Sequence, residues 1–136
     1  MSEDCLFCKI IKGEIPSKKI YEDKDVVAFL DIAPLADGHT VIIPVNHYEN
    51  LLDFPENEME KFFSVVKQLS GTLKSKLNAD GFNILQNNYK AAGQIVFHMH
   101  YHIIPRWEND NKPFLKHAKD QASPEHLDAI MKKIKG

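Results

Sequence analysis

The sequence predicts an α+β fold, an antiparallel five-stranded sheet with one long helix and a second helix at the C-terminus. Short runs rich in β-branched and aromatic residues are separated by turn residues, which is typical of strands joined by short connections. Apolar residues recur at helical spacing once in the middle of the chain and once near its end. The 136 residues suit one domain, residues 1–136, and the order of elements does not favour a Rossmann or barrel fold.

A short helical turn and five strands account for much of the chain. Residues 5–12 are expected to form the turn, which the glycine and proline that follow bring to an end. We expect Pro44 and Asn46 to end the third strand and Pro105 to end the last one. The predicted strands cover residues 19–22, 26–31, 39–45, 82–86 and 95–104.

Two helices are each predicted to carry one apolar stripe. Asp53, Pro55 and Glu56 supply a start for the long helix. Its stripe contains Met59, Phe62, Phe63, Val66, Leu69, Leu73 and Leu77. The C-terminal helix is expected to begin at Ser123-Pro124-Glu125, and four of its residues are expected to face inward: Leu127, Ile130, Met131 and Ile134.

Composition and charge restrict the partners of the protein. Hydrophobic residues make up 43% of the chain, and the formal charge of -2 gives no field that would gather nucleic acid or an anionic membrane. No apolar stretch approaches the roughly 20 residues that span a bilayer, and the first four residues lack the positive charge of a secretory signal. We therefore expect a cytoplasmic protein with no nucleic acid or membrane partner, whereas a small phosphorylated substrate is compatible with the composition.

The two cysteines, Cys5 and Cys8, form one C-x-x-C. In a reducing compartment this spacing favours metal binding or redox work over a structural disulfide. The redox alternative is the weaker one, because a thioredoxin-like site needs a strand before the motif and only four residues precede Cys5.

Three histidines alternate along the last predicted strand. His98, His100 and His102 are expected on one face with same-face neighbours about 6.6–6.8 Å apart, and Phe97, Met99, Tyr101 and Ile103 on the core face. A solvated face explains a lone histidine, but strict alternation inside an apolar strand favours a functional site. A zinc site formed by these histidines is a further alternative that the spacing leaves open.

The segment His98-Met99-His100-Tyr101-His102-Ile103-Ile104 resembles the signature of the histidine triad (HIT) family. The similarity extends to residues 93–97, to Pro105-Arg106, to residues 31–34 and to residues 39–44, so it spans about residues 5–107. The resemblance implies nucleotide hydrolase or transferase chemistry on an antiparallel α+β sheet, in a homodimer.

The resemblance also implies a role for individual residues. His100 would be the nucleophile that attacks the α-phosphorus of a nucleotide, and a backbone carbonyl would orient its other ring nitrogen. His102 and His39 would contact the phosphate and stabilise charge on its oxygens. Gln94 and Asn87 would supply amide hydrogen bonds at the same site, with Gln94 placed to reach the scissile oxygen. Gly93 and Ile95 would also bind the nucleotide, Ile95 through its backbone N–H. Many members that cleave phosphoramidates carry a hydroxyl residue at the position of Ile95, so the leaving group stays open.

The same resemblance implies a purine nucleoside pocket. Asp31 would accept hydrogen bonds from the ribose hydroxyls, and Phe29, Ile32 and Ile10 would sandwich the base. Ordinary core packing is the alternative for these three apolar residues. For Asp31 the alternative is a turn-forming role ahead of Pro34.

A structural zinc site is implied at the N-terminus. Bacterial-type members with this C-x-x-C complete the zinc ligands with two histidines, and the matching positions here are His47 and His98, next to Cys5 and Cys8. Two reduced, buried cysteines with a surface His47 are the alternative. His117 and His126 lie outside these motifs and are expected at the surface.

Three functions follow from the sequence. The first is a hydrolase that forms a nucleotidyl-histidine and cleaves purine nucleoside phosphoramidates or dinucleoside polyphosphates. The second is a zinc-dependent metallohydrolase in which the three strand histidines bind a catalytic ion. The third is a nucleotide-sensing module that binds without turnover.

Overall fold

The computed structural model describes residues 4–112 and 119–136 and confirms the α+β class. The helices are α1 (Leu6–Ile11), α2 (Met59–Lys76) and α3 (Pro124–Lys135). The strands are β1 (Lys19–Glu22), β2 (Val26–Leu30), β3 (Thr40–Pro44), β4 (Gly81–Leu85) and β5 (Tyr101–Arg106). All five strands pair antiparallel in one sheet with the order β1-β2-β3-β5-β4. The ends of β2, β3 and β4 differ from the prediction by one residue, as strand ends commonly do.

Each face of the sheet packs on a different helix. Residues such as Ala28, Ile42 and Ile103 contact α2 in the larger core cluster. Their strand neighbours Phe29 and Val41 face the other way and pack with α1 in a second cluster. Alternation along the strands thus supplies both a structural face and a face that holds the candidate site.

Helix α2 begins at Met59, after a short 3-10 turn over Glu56–Glu58. The predicted stripe is largely buried, but it is rotated slightly from the expected position. Phe63 and Leu77 are 36% and 37% exposed, whereas Val65, which the prediction omitted, is buried. A helical period of 3.6 residues fits either set of positions at the ends of the stripe, so only contact with the sheet decides between them.

The prediction of a strand over 95–104 is wrong in its first half, because β5 begins at Tyr101. Extending the β3–β5 register by two residues would set Pro44 opposite Met99, and proline has no N–H to donate to a ladder. The Met99 N–H donates instead to the Tyr48 carbonyl at 2.7 Å. Consequently His98 and His100 precede the strand, and His102 lies on it.

Two further expectations about this segment are corrected. Phe97 does not face the core, since its side chain is 46% exposed. Pro105 does not end the strand but pairs with Phe82 of β4. Beyond Ile103, β5 no longer pairs with β3. No hydrogen bond between these two strands is therefore lost because Pro105 lacks an N–H.

The C-terminal helix has the predicted start but not the predicted packing. The Ser123 side chain caps it by accepting a hydrogen bond from the His126 N–H. Leu127, Ile130, Met131 and Ile134 are 56%, 40%, 47% and 79% exposed, so the apolar face does not point into this chain. The periodicity shows that an apolar face exists but not what covers it. His126 is exposed as expected, and His117 lies outside the described residues.

Among the helices of the described residues, none is both long and apolar enough to cross a membrane.

Candidate active site and metal centre

A cavity of about 420 Å³ opens on the α1 face of the sheet. It lies between α1, the ends of β2 and β3, and the segment that leads into β5. Nearly all the residues predicted to bind nucleotide line it: Ile10, Phe29, Asp31, Ile32, His39, Asn87, Gly93, Ile95, His100 and His102. The fold therefore gathers residues that are far apart in the sequence into one concave site.

The His100 ring is held in one tautomer by the backbone. Its Nδ1 lies 2.7 Å from the carbonyl oxygen of His98, which can only accept, so Nδ1 carries the hydrogen. The lone pair is thereby left on Nε2. Burial lowers the pKa of His100 below the ordinary histidine value. Phe7 of α1 packs against the ring with centroids 5.0 Å apart. His100 thus has the protonation state that a nucleophile needs.

The His102 ring is held in its tautomer through His39. The Leu35 N–H donates to His39 Nδ1 at 3.0 Å, so His39 carries its hydrogen on Nε2. That nitrogen lies 2.9 Å from His102 Nδ1, which must then accept. His102 is left with Nε2–H as a donor. His39 is 3% exposed and sits behind His102.

Burial keeps this histidine pair neutral. It lowers the pKa of His102 to about 4, and the nearby His100 and His39 rings act in the same direction. Burial also lowers the pKa of His39, while the Asp31 carboxylate opposes this shift. A neutral pair can donate one directed hydrogen bond from His102 into the cavity near pH 7.

Asp31 takes up the turn-forming role that was one of its two interpretations. Its Oδ1 accepts a hydrogen bond from the Ala33 N–H at 2.9 Å. Its Oδ2 lies 3.6 Å from His39 Nε2 and borders the cavity. Ribose binding by this carboxylate stays a prediction.

The proposed base sandwich has one buried and one exposed side. Phe29 and Ile10 are 5% and 6% exposed, and Phe29 packs edge-on against Phe7. Ile32 and Ile95, by contrast, are 98% and 86% exposed at the mouth of the cavity. Core packing thus accounts for Phe29 and Ile10, whereas an exposed isoleucine at a cavity mouth suits a ligand contact.

Gln94 is the predicted site residue that the structure does not bring to the cavity wall. Its side chain is buried, and its amide N–H groups donate to the carbonyls of Glu49 at 2.6 Å and Val96 at 3.1 Å. Its Oε1 accepts from the Tyr89 N–H. The side chain therefore fixes the segment that precedes the histidines, and its contact with the scissile oxygen stays a prediction.

The four predicted metal ligands converge on the other side of α1. Their ligand atoms all lie within 4.8 Å of one another. His98 Nδ1 is 3.2 Å from His47 Nδ1 and 3.4 Å from Cys5 Sγ, and Cys8 Sγ is 3.4 Å from His47 Nδ1. Tetrahedral zinc with two sulfur and two nitrogen ligands requires separations of about 3.3–3.8 Å between ligand atoms, so the four residues fit the ion.

His98 connects this cluster to the active site. Its Nε2 donates to the Pro44 carbonyl at 2.8 Å, which leaves the Nδ1 lone pair directed at the cysteines. Its own carbonyl accepts from His100 Nδ1. One residue thus contributes its ring to the metal cluster and its backbone to the orientation of His100.

The three triad histidines do not form one metal site in the described residues. His98 groups with Cys5, Cys8 and His47, and His102 groups with Asp31 and His39. The version of the metallohydrolase in which all three bind one ion is therefore wrong. The physical reason is that the irregular backbone before β5 turns each ring in a different direction.

Sequence reasoning missed two groups of the site. Phe7, between the cysteines, packs against both His98 and His100. The Leu35 N–H fixes the tautomer of His39. Phe7 lies three residues before Ile10, so the predicted helical turn places both on one face and could have indicated Phe7. The sequence contains no comparable signal for a backbone donor.

The HIT domain family model matches residues 12–109. The chain belongs to the HIT family. It is 48% identical over 132 residues to a HIT-like protein of Methanocaldococcus jannaschii, covering 97% of this chain and 99% of the relative. It is 45% identical over 106 residues to an adenosine 5'-monophosphoramidase of Candida albicans, covering 75% of this chain and 70% of the relative.

Solved HIT-family structures share the fold along almost the whole chain. A HIT family protein from Bacillus subtilis superposes with a TM-score of 0.87 at 41% identity, covering 98% of this chain and 96% of that one. A zinc-bound histidine triad family protein from Mycobacterium smegmatis superposes with a TM-score of 0.77 at 35% identity, covering 97% and 96%.

Proposed function

We propose that this HIT-family chain is a nucleotide hydrolase that forms a nucleotidyl-histidine on His100. The observation that carries the proposal is the hydrogen bond from His100 Nδ1 to the His98 carbonyl, which leaves the Nε2 lone pair available beside the cavity. A neutral imidazole is an effective nucleophile near pH 7, and a covalent intermediate divides a difficult displacement into two easier steps.

In the first step, His100 Nε2 attacks the α-phosphorus and forms a P–N bond. The bond from phosphorus to the leaving group breaks, and the leaving group departs with its electron pair and takes up a proton from solvent. In the second step, water attacks the same phosphorus and releases a proton to solvent, and the P–N bond breaks, which returns the lone pair to Nε2. His102, whose Nε2–H is fixed through His39, donates to a phosphate oxygen in both transition states.

The proposed substrates are purine nucleoside phosphoramidates, with dinucleoside polyphosphates as the alternative. The name of the Candida albicans relative supports the first class. At position 95 the chain offers a backbone N–H and an exposed isoleucine side chain toward the leaving group. Turnover of an adenosine phosphoramidate and of a diadenosine polyphosphate by the same preparation distinguishes the two classes.

The proposed cofactor is one structural zinc ion per chain. Cys5, Cys8, His47 and His98 would hold it, and it would tie α1 to the segment before His100. We also propose the homodimer that the family resemblance implies, which the exposed apolar face of α3 supports.

Trapping the intermediate tests the proposed function. The protein is incubated with a nucleotide labelled at the α-phosphorus, quenched in mild base, and examined for acid-labile label. We expect label on His100 in the wild type and none in His100→Ala. The matched control is His126→Ala, at an exposed histidine of α3, which should label like the wild type. Label that persists in His100→Ala would refute the nucleophile.

A second candidate is metal-dependent hydrolysis at a different set of ligands. The ligand atoms of Asp31, His39 and His102 lie within 4.8 Å of one another beside the cavity. Full turnover without any trapped label, lost on chelation and restored by a divalent ion, would favour this candidate over the covalent mechanism.

A further inference from the structure

Ser17 lines the wall of the cavity that is formed by the segment between α1 and β1. Its hydroxyl oxygen is buried and, in the described part of the chain, has no hydrogen-bond partner. Buried hydroxyls nearly always have a partner in folded proteins. Rotation of the Ser17 side chain about its Cα–Cβ bond would turn this hydroxyl into the cavity that the residue lines, where a bound ligand would supply the missing hydrogen bond.

The sheet register shows which part of the cavity Ser17 borders. His102, Val41, Phe29 and Lys19 form one row across β5, β3, β2 and β1. The Leu30 N–H donates to the Lys18 carbonyl at 3.0 Å, which continues the β1–β2 pairing toward Ser17. Since neighbouring strands are about 4.8 Å apart, β1 lies about 14 Å from the strand of His102.

A nucleotide whose phosphate contacts His100 and His102 would therefore direct its base toward Ser17. The other cavity residues at that end are apolar: Ile10, Ile15, Pro16 and Phe29. The remaining polar side chains of the wall lie just after β2, just before β3, in the loop after β4, and at the start of β5 or immediately before it. They are Asp31, His39, Asn87, His100 and His102.

We propose that Ser17 is a specificity-determining residue whose hydroxyl forms a hydrogen bond with the edge of the nucleobase. This inference rests on the proposed function, because it uses the placement of the phosphate at His100. Apolar walls hold any purine by stacking and burial, whereas one directed hydrogen bond distinguishes bases by the groups on their edges. Ser17 would thus give the site a preference between purine bases, which its apolar walls cannot provide.

Binding measurements with and without a base test this inference. Dissociation constants are determined by calorimetry for AMP, GMP and ribose 5-phosphate with wild type, Ser17→Ala and Ser17→Thr. We expect Ser17→Ala to bind the preferred purine nucleotide about three- to tenfold more weakly, as loss of one neutral hydrogen bond does. Binding of ribose 5-phosphate should not change, and Ser17→Thr should keep the preference because it keeps the hydroxyl.

Two controls separate a role in binding from a role in folding. Ser64→Ala removes an exposed hydroxyl from α2 and should bind all three ligands like the wild type. The melting temperature of Ser17→Ala without ligand should not fall, because the hydroxyl has no partner to lose in the free protein.

The outcomes that overturn the inference are distinct from those that overturn the proposed function. Dissociation constants of Ser17→Ala within about twofold of the wild type for both nucleotides would refute the role of Ser17. An equal loss for ribose 5-phosphate would refute it as well. A wild-type protein that binds neither nucleotide would contradict the proposed function itself, and the inference with it.

Discussion

At the scale of single residues, the site is a set of neutral histidines whose hydrogens are placed by backbone groups. The His98 carbonyl and the Leu35 N–H each determine which nitrogen of a ring carries the hydrogen. The result is one lone pair, on His100, next to one donor, on His102. Such an arrangement needs no rearrangement of the protein before a phosphate is attacked.

The lowered pKa of His100 predicts an unusual pH dependence. Burial disfavours the charged ring, so the lone pair of His100 persists as the pH falls below 6.5, the ordinary histidine value. We expect kcat/KM to stay level from pH 8 through 6.5 and to decline only at lower pH, because this ratio reports the free enzyme. Circular dichroism at each pH serves as the control for folding. A decline centred at 6.5 or above would contradict the expectation.

His39 is expected to act as a positioning residue through His102. In His39→Ala the His102 ring loses the donor that fixes its tautomer, so its hydrogen bond to phosphate is weakened. We expect kcat to fall about ten- to a hundredfold with a smaller change in KM, since the contact matters most in the transition state. His39→Gln, whose amide can still donate, should recover part of the loss. Equal changes in kcat for both variants would argue against this role.

At the scale of elements, α1 and the Cys5 that precedes it are attached to the sheet through four buried side chains, those of Cys5, Phe7, Cys8 and Ile10. Both cysteines point at His98. A helix of six residues is too short to be stable by itself, so its position depends on these contacts.

Removal of the proposed zinc should loosen α1 and the segment before His100. We expect Cys8→Ser to contain well below one equivalent of zinc and to melt at a lower temperature than the wild type. A strong chelator should lower the melting temperature of the wild type toward that of Cys8→Ser and leave the variant unchanged. Wild-type protein that lacks zinc after purification with protected thiols would contradict the site.

Helix α2 offers a matched pair of core and surface positions. Phe62 is 1% exposed and packs against Phe54 and Tyr101, whereas its neighbour Phe63 is 36% exposed. Phe62→Ala should lower the free energy of unfolding by about 3–5 kcal/mol, the usual cost of deleting a buried aromatic ring. Phe63→Ala should cost clearly less. Similar midpoints of urea denaturation for the two variants would show that the apolar stripe of α2 does not bury Phe62 in preference to Phe63.

At the scale of the whole molecule, the single chain leaves apolar surface uncovered. The apolar side chains of α3 are exposed, and so are Phe82 and Ile84 of the edge strand β4. An exposed apolar helix face usually marks an interface.

We expect the protein to be a homodimer in solution. Light scattering should give close to twice the chain mass of 15.6 kDa, and the melting temperature should rise with protein concentration. Ile130→Glu places a charge on the apolar face of α3 and should shift the protein toward the monomer, whereas Lys132→Glu, at a position that is already charged, should not. A monomeric wild type would contradict the expectation.

Much of the fold could be predicted from the sequence, because its signals are local. The β-branched and aromatic runs of β1 to β4, the stripe of α2 and the Ser-Pro start of α3 each depend on a few neighbouring residues. The beginning of β5 could not be predicted in this way. It depends on Pro44, which belongs to another strand and has no N–H to donate to Met99.

The residue types at the site were determined by the sequence itself. The triad motif supplied His100 and His102, and the spacing of Cys5 and Cys8 indicated metal ligation. Tertiary structure decided how these residues are divided. His98 turns toward the cysteines, His102 pairs with His39, Gln94 bonds to backbone, and Ser17 is left buried without a partner. The reason is physical. The sequence specifies the type of each side chain, but the hydrogen-bond partners of that side chain belong to distant segments that only folding brings together.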